Sequence, residues 1–166
     1  MFTRLALVIA LLMSAPAALA QAANIALGTG GFDRTQPVEV TSDALSVDQE
    51  SGQAVFDGNV LVVQGKVRLS AGKVTVEYKQ TDGRPSGIAR LIATGGVTFV
   101  TESDAVEARE AVYSVEGANV RLKGDVLLTQ GPNAIAGDTM VINLETGSGT
   151  MEGRVRTVFN PSSGDQ

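Results

Sequence analysis

The feature that most constrains this chain is a Gly-x-Val step that recurs at the head of a short apolar run. It stands at Gly58-Asn59-Val60, Gly95-Gly96-Val97, Gly124-Asp125-Val126 and Gly153-Arg154-Val155, with glycine spacings of 37, 29 and 29. The first spacing is stretched by a turn-rich insertion, Lys79-Gln80-Thr81-Asp82-Gly83-Arg84-Pro85-Ser86-Gly87. A second run falls between the steps: Asp43 to Val47, Ala71 to Val76, Arg109 to Tyr113 and Gly137 to Ile142. A regular period in this range signals a stack of like units. Each unit of about 29 residues is expected to hold several short strands, and four units stack because none buries a face alone.

The strand reading rests on alternation. Val38 and Val40 alternate with Glu39 and Thr41, Leu45 and Val47 with Ser46 and Asp48, and Val120 and Leu122 with Arg121 and Lys123. A period of two is the mark of a half-buried strand. Thr101 to Val115 is rich in Glu and Ala and has a helical alternative, but Val112-Tyr113-Ser114-Val115 and the repeat favour strands. In the first run, Val60, Val62, Val97, Phe99, Val126, Leu128, Val155 and Thr157 share one face. Leu61, Val63, Thr98, Val100, Leu127, Thr129, Arg156 and Val158 share the other. The first set is the more uniformly apolar and is assigned inward. The register of the second run is open by one residue.

Composition removes most chemistry. The 166 residues include no cysteine, histidine or tryptophan, which excludes disulfides, thiolate zinc sites, cysteine nucleophiles and histidine-based triads. No calcium loop with the required Asp spacing is present, and no cofactor or metal is expected. A formal charge of −5 argues against nucleic acid as a partner. Asp57, Glu110, Asp125 and Asp138 are expected at turns or strand starts, where capping and solubility explain them. Lys66, Arg68, Arg121 and Lys123 alternate with apolar residues and are expected on a solvated outer face; the alternative, contact with lipid phosphates, comes only with the family resemblance drawn below.

The amino terminus reads as an export signal. Arg4 precedes the apolar run Leu5 to Met13, Ser14-Ala15-Pro16 breaks it, and Ala18-Leu19-Ala20 is an A-x-A cleavage site. Residues 1–20 are therefore expected to be removed, leaving an exported chain, which the family resemblance given below would place in the periplasm. Residues 21–36 are small, glycine-rich and aperiodic, and are expected to be a flexible lead-in. Gly28-Thr29-Gly30-Gly31 within it is expected to follow no strand and has no Walker lysine, so a flexible tail is favoured over a phosphate loop. The folded domain is expected over residues 37–160, with 161–166 a polar tail.

Two blocks are more specific. Gln36-Pro37-Val38-Glu39-Val40-Thr41-Ser42-Asp43 is followed by Phe56-Asp57-Gly58-Asn59-Val60-Leu61-Val62-Val63-Gln64-Gly65, then by Ala71-Gly72-Lys73-Val74 and Ala136-Gly137-Asp138. Over about residues 36–160 this resembles the OstA-like family of periplasmic lipopolysaccharide-transport proteins. The resemblance implies an all-β, open, twisted β-jellyroll and a carrier without catalysis. Its apolar interior would hold the acyl chains of lipid A. Val38, Val40, Val60, Val62, Val97, Phe99, Val126 and Leu128 are the candidate lining. The bland alternative is that they pack on one another as core.

An open stack leaves a first and a last strand unpaired, and such edges recruit other strands. Val38, Val40, Leu45 and Val47 fall on the first edge, and Val155, Val158 and Phe159 on the last, with Pro37 and Pro161 flanking them. The resemblance implies the inner-membrane protein LptC at the first edge and the amino-terminal domain of outer-membrane LptD at the last. It also implies head-to-tail self-association. A carboxylate-dependent polysaccharide hydrolase or lyase on a β-solenoid is the enzymatic alternative, but it needs aromatic sugar platforms, of which a chain with no Trp and two Tyr offers few. A small outer-membrane barrel would need strands of about 9–11 residues, longer than the runs of mostly four to six expected here.

Overall fold

The computed structural model of the chain describes residues 23–28, 32–48 and 50–160. The signal peptide, the tail beyond Asn160 and most of Gly28 to Gly31 lie outside the described residues. The strands are β1 (Ala23–Ala26), β2 (Glu39–Thr41), β3 (Ala44–Asp48), β4 (Gln53–Gln64), β5 (Val67–Thr81), β6 (Arg84–Val100), β7 (Asp104–Ser114), β8 (Asn119–Gln130), β9 (Asn133–Asn143), β10 (Ser148–Glu152) and β11 (Arg156–Val158). All pairings are antiparallel and successive long strands are neighbours, so the chain is a meander from β2 to β10. The sheet does not close: β2 and β3 lie at one end, and β1 and β11 at the other.

The fold class is as expected, but the strands are not short. β4 to β9 run for 11 to 17 residues each. Strand length therefore does not exclude a barrel; the open edges do. The first three Gly-x-Val steps do not open a strand. Each lies inside one, at a bulge where the ladder slips between Asp57 and Val60, between Thr94 and Val97, and between Lys123 and Val126, whereas the fourth, Gly153-Arg154-Val155, falls between β10 and β11. Both residues of each step have positive φ: Gly58 and Asn59, Gly95 and Gly96, Gly124 and Asp125, Gly153 and Arg154. Two residues on these strands oppose one on the neighbour, which bends the ladder. Aligned across the sheet, the bulges fold every long strand along one line. A unit of the repeat is thus one upward and one downward bent strand. Asp57, Glu110, Asp125 and Asp138 stand at this bend rather than at turns.

The bend divides the sheet into two leaves. Leaf I contains β2, Val60–Gln64, Val67–Ala71, Val97–Val100, Asp104–Glu107, Val126–Gln130, Asn133–Gly137 and β11, in that order. Leaf II contains β3, the other halves of β4 to β9, then β10 and β1. The leaves face each other over one hydrophobic core.

The bends also settle the register of the second run. A Gly-x-Val step inserts two residues and preserves the alternation: Leu91 and Ala93 point inward before it, Val97 and Phe99 after it. The strands between advance by an odd number. In β5, Val67, Leu69 and Ala71 point inward before Gly72, and Val74 and Val76 after it. The inward residues of β7 and β9 in leaf II are Ala111 and Tyr113, and Met140 and Ile142.

The lead-in is partly a strand. Ala23–Ala26 pairs with Met151 to Ser148 of β10, and Ile25 and Leu27 are buried. Ile25 and Leu27 are spaced by two, but four residues are too few for alternation to stand out among glycines. The partner lies more than a hundred residues away. The insertion at 79–87 is a lengthened hairpin turning at Asp82-Gly83, both at positive φ as a type I′ turn requires.

Close backbone approach at the bend requires glycine. A Cβ on Gly95, whose φ is +82°, would sit 3.2 Å from the Cα of Gly72. Gly83 has a φ of +72° but no atom within 4 Å of its would-be Cβ. Gly95→Ala should therefore cost more stability than Gly83→Ala, on the order of 1–3 kcal/mol for the first, read as a lower urea midpoint with unchanged slope.

Candidate functional site

The inner face is continuous from one end of the sheet to the other. Val60, Val62, Val97, Phe99, Val126 and Leu128 are all buried on leaf I, where alternation placed them, whereas Thr157, assigned to the same inward set, is exposed at the β11 edge. Val38 and Val40 are half-buried against the same core at the first edge. Val155 is half-buried between β10 and β11. Leaf II supplies an equal face that the first-run register did not name: Val74, Val76, Leu91, Tyr113, Leu122 and Ile142 among others. The Leu91-Ile92-Ala93 stretch carried the signal, hidden because the insertion precedes it.

The two faces touch. Phe99, the largest fully buried side chain, is 1% exposed. The void bounded by Val62, Gln64, Val67, Leu69, Phe99, Tyr113, Val120 and Leu144 measures about 10 Å³, scarcely room for one water. The interior here is packed like a core.

One polar bridge crosses that interior. The Tyr113 hydroxyl on leaf II donates to Gln64 Oε1 on leaf I. Gln64 Nε2 in turn donates to the carbonyls of Arg34 at 3.3 Å and Gln36 at 2.9 Å. Arg34 pairs with Glu145 at 3.1 Å on the leaf II side. These contacts tie the strand tips of the leaves, opposite the bend. Burial pushes the Tyr113 phenol up to about 12.

Charged side chains stand outside. Along the bend, Lys73 pairs with Asp57 at 2.8 Å, Arg154 with Asp138 at 2.8 Å, and Arg109 with Asp125. The Arg154 guanidinium holds the Asp138 carboxyl below its ordinary value, and Asp138 raises Arg154. Asp57, Asp125 and Asp138 meet cations at the exposed surface rather than one another in a cleft. Lys66, Arg68, Arg121 and Lys123 are exposed, and Lys66 is paired with Glu102 at 2.8 Å.

The edges differ from each other. Leu45 and Val47 on β3 are 57% and 64% exposed, because among the described residues no strand pairs beyond β3 on leaf II. Val158 and Phe159 are 47% and 74% exposed at the β11 end of leaf I. On leaf II the corresponding end is not bare: β1 covers β10. The last edge expected over Arg154–Phe159 is thus only half of that end, and the amino-terminal strand forms the other half.

A bent, unclosed antiparallel sheet folded over an aliphatic interior defines an open β-jellyroll. Residues 39–148 match the family described as LptA/(LptD N-terminal domain) LPS transport protein, and the chain belongs to that family. An uncharacterized protein of Rhizobium meliloti is 30% identical over 157 residues, covering 90% of this chain and 84% of its own. The lipopolysaccharide export system protein LptA of Escherichia coli K12 is 32% identical over 115 residues, covering 64% of this chain and 59% of its own. The crystal structure of LptH, the LptA-homologous periplasmic component of the lipopolysaccharide transport device of Pseudomonas aeruginosa, shares the fold. It superposes with a TM-score of 0.68 at 21% identity, covering 78% of this chain and 99% of its own.

The raised Tyr113 value has a measurable sign. The folded chain keeps the neutral phenol up to about pH 12, whereas the unfolded chain ionises near its ordinary 10. The stability tied to this group is whole below about pH 10 and is lost as pH rises towards about 12. Tyr113→Phe should flatten that alkaline loss. At neutral pH it should cost about 1–3 kcal/mol, because Gln64 Oε1 loses its buried donor. Urea midpoints at pH 8, 10 and 11 check both effects.

Proposed function

We propose that the mature chain is a periplasmic, non-enzymatic carrier of lipopolysaccharide and one link of a bridge between the inner and outer membranes. The observation that carries this reading is an aliphatic face running unbroken between two open sheet edges. A lone binding cavity would need closed ends; a conduit needs open ones. Lipopolysaccharide enters the reading through the printed names of the family and of the relatives.

In this reading the leaves part at their tips and hinge at the glycine bend. Acyl chains then slide between leaf I, with Val60, Val62, Val97, Phe99, Val126 and Leu128, and the facing side chains of leaf II. Val38 and Val40 extend the lining to the first edge. Each methylene taken from water contributes about 0.8 kcal/mol, which offsets separation of the leaves. Transfer between two like interiors is nearly neutral, so direction comes from an external pump. LptC meets the β2/β3 end and the amino-terminal domain of LptD meets the β11 end. Copies of the chain join head to tail between them.

The test begins with mass spectrometry of lipid co-purifying with the exported protein. A photo-crosslinker at Val62 or Phe99 should label that lipid, and one at outward-facing Thr98 should not. Equal labelling at Thr98 and Phe99 would overturn the lining. Phe99→Asp should reduce captured lipid at least tenfold, since an unpaired charge is costly in that interior. It also weakens the fold, so the labelling contrast decides. Val158→Pro removes a backbone donor at an exposed edge residue. It should shorten head-to-tail assemblies in light scattering while leaving lipid capture intact.

A further inference from the structure

The two leaves do not carry the same number of strands. Leaf I runs β2, β4, β5, β6, β7, β8, β9, β11, eight in all. Leaf II runs β3, β4, β5, β6, β7, β8, β9, β10, β1, nine in all. Because every pairing is antiparallel, β11 runs opposite to β2. A second copy that continues leaf I therefore sets its β2 antiparallel to β11. In leaf II the same copy meets an obstacle. β1 runs the same way as β3, so the incoming β3 would lie parallel to β1 and be displaced by one strand spacing, about 4.8 Å. Against β10 it would be antiparallel and in step with leaf I.

β1 and β3 are also alike in what they present. β1 and the residue after it put Ile25 and Leu27, two apart, into the interior. β3 holds Leu45 and Val47, two apart, with the same strand direction and no cover. Gly149 of β10 leaves room both for the seated strand and for the core beneath it: a Cβ there would lie 2.8 Å from Leu27 Cδ1 and from Met140 Cε. Beyond its ladder to β10, the first strand is held at its carboxy-terminal end by bonds to leaf II and to leaf I. Leu27 N–H donates to Gly147 O at 2.6 Å, Gly28 N–H to Asp104 Oδ2 at 2.6 Å, and Gln130 Nε2 to Ala26 O at 2.8 Å.

We propose that β1 is an internal stand-in for β3 of a second copy of this chain, and that strand exchange on β10 converts a capped end into a two-leaf joint. This rests on the head-to-tail reading above. While β1 is seated, a copy joins through β11 and β2 alone. When β1 leaves, the incoming β3 seats Leu45 and Val47 where Ile25 and Leu27 were, and both leaves become continuous.

The experiment locks β1 in place. Asn24 and Thr150 face each other across β1 and β10, with the Thr150 hydroxyl 3.5 Å from Asn24 Oδ1. Paired antiparallel residues have Cα separations of about 4.5–5.5 Å, within the range of a disulfide. The chain has no cysteine of its own, so Asn24→Cys with Thr150→Cys gives one defined bond. Sedimentation across a concentration series is compared for the oxidised and reduced forms of the full mature chain. Oxidation should raise the concentration needed for assembly at least tenfold, and reduction should restore it. Leu45→Glu, at an exposed position, should weaken assembly of the reduced form. Deletion of residues 21–28 should promote assembly, with circular dichroism confirming the fold. Equal assembly of the oxidised and reduced forms, with Val158→Pro still disruptive, would overturn the exchange and leave head-to-tail joining intact. Failure of every form to assemble would overturn both.

Discussion

Everything in this molecule depends on one repeated backbone event: two residues opposing one, at the same height, in strand after strand. A flat antiparallel meander of this length would expose one apolar face to water. The aligned bulges fold it upon itself, so that a single sheet supplies both walls of its own core. The cost is backbone in the left-handed region. Glycine carries it at Gly58, Gly95, Gly124 and Gly153. The second position is less demanding. Asn59 and Asp125 belong to the types that tolerate it, whereas Arg154 does not and is anchored by Asp138.

The same event explains what the sequence made legible. The Gly-x-Val step was visible because it recurs, and its Val is inward because inserting two residues keeps the phase of alternation. That is why Val60, Val62, Val97, Phe99, Val126 and Leu128 could be placed from pattern alone. The odd advance on the intervening strands flips the phase, so no pattern running through Gly72 or Gly137 could fix the second run. A glycine at a bulge and a glycine at a turn interrupt an apolar run alike. Each bent strand of 11 to 17 residues therefore looked like two short ones. β1 was illegible for a different reason: four residues gain strand structure only from a partner far along the chain.

The interior and the edges divide the work. Side chains such as Phe99, Leu122, Leu128 and Ile142 are buried completely or nearly so and pack leaf on leaf, which keeps the resting molecule dry. The tips are joined by polar contacts, with Gln64 serving Tyr113 and two backbone carbonyls at once. A bend of glycines thus closes one side of the sheet and hydrogen bonds the other. The ion pairs along the bend lie on the exposed surface.

The lengthened β5–β6 hairpin shows where such a repeat has slack. Ser114 of β7 pairs with Arg90 and with Asn119, which puts the Glu77–Arg90 pair level with the neighbouring turn. Beyond that level the β5–β6 hairpin has twelve residues, 78–89, where the β7–β8 turn has four, 115–118. The eight extra residues account for the excess of the 37-residue spacing over 29. Tyr78 and Ile88 at the base of the lengthened hairpin still pack against the core, and beyond them, around Pro85, the hairpin is exposed. Growth or loss of chain length is thus confined to the free ends of the hairpins. The span from the bend to the tip is held fixed by the side chains packed between the leaves.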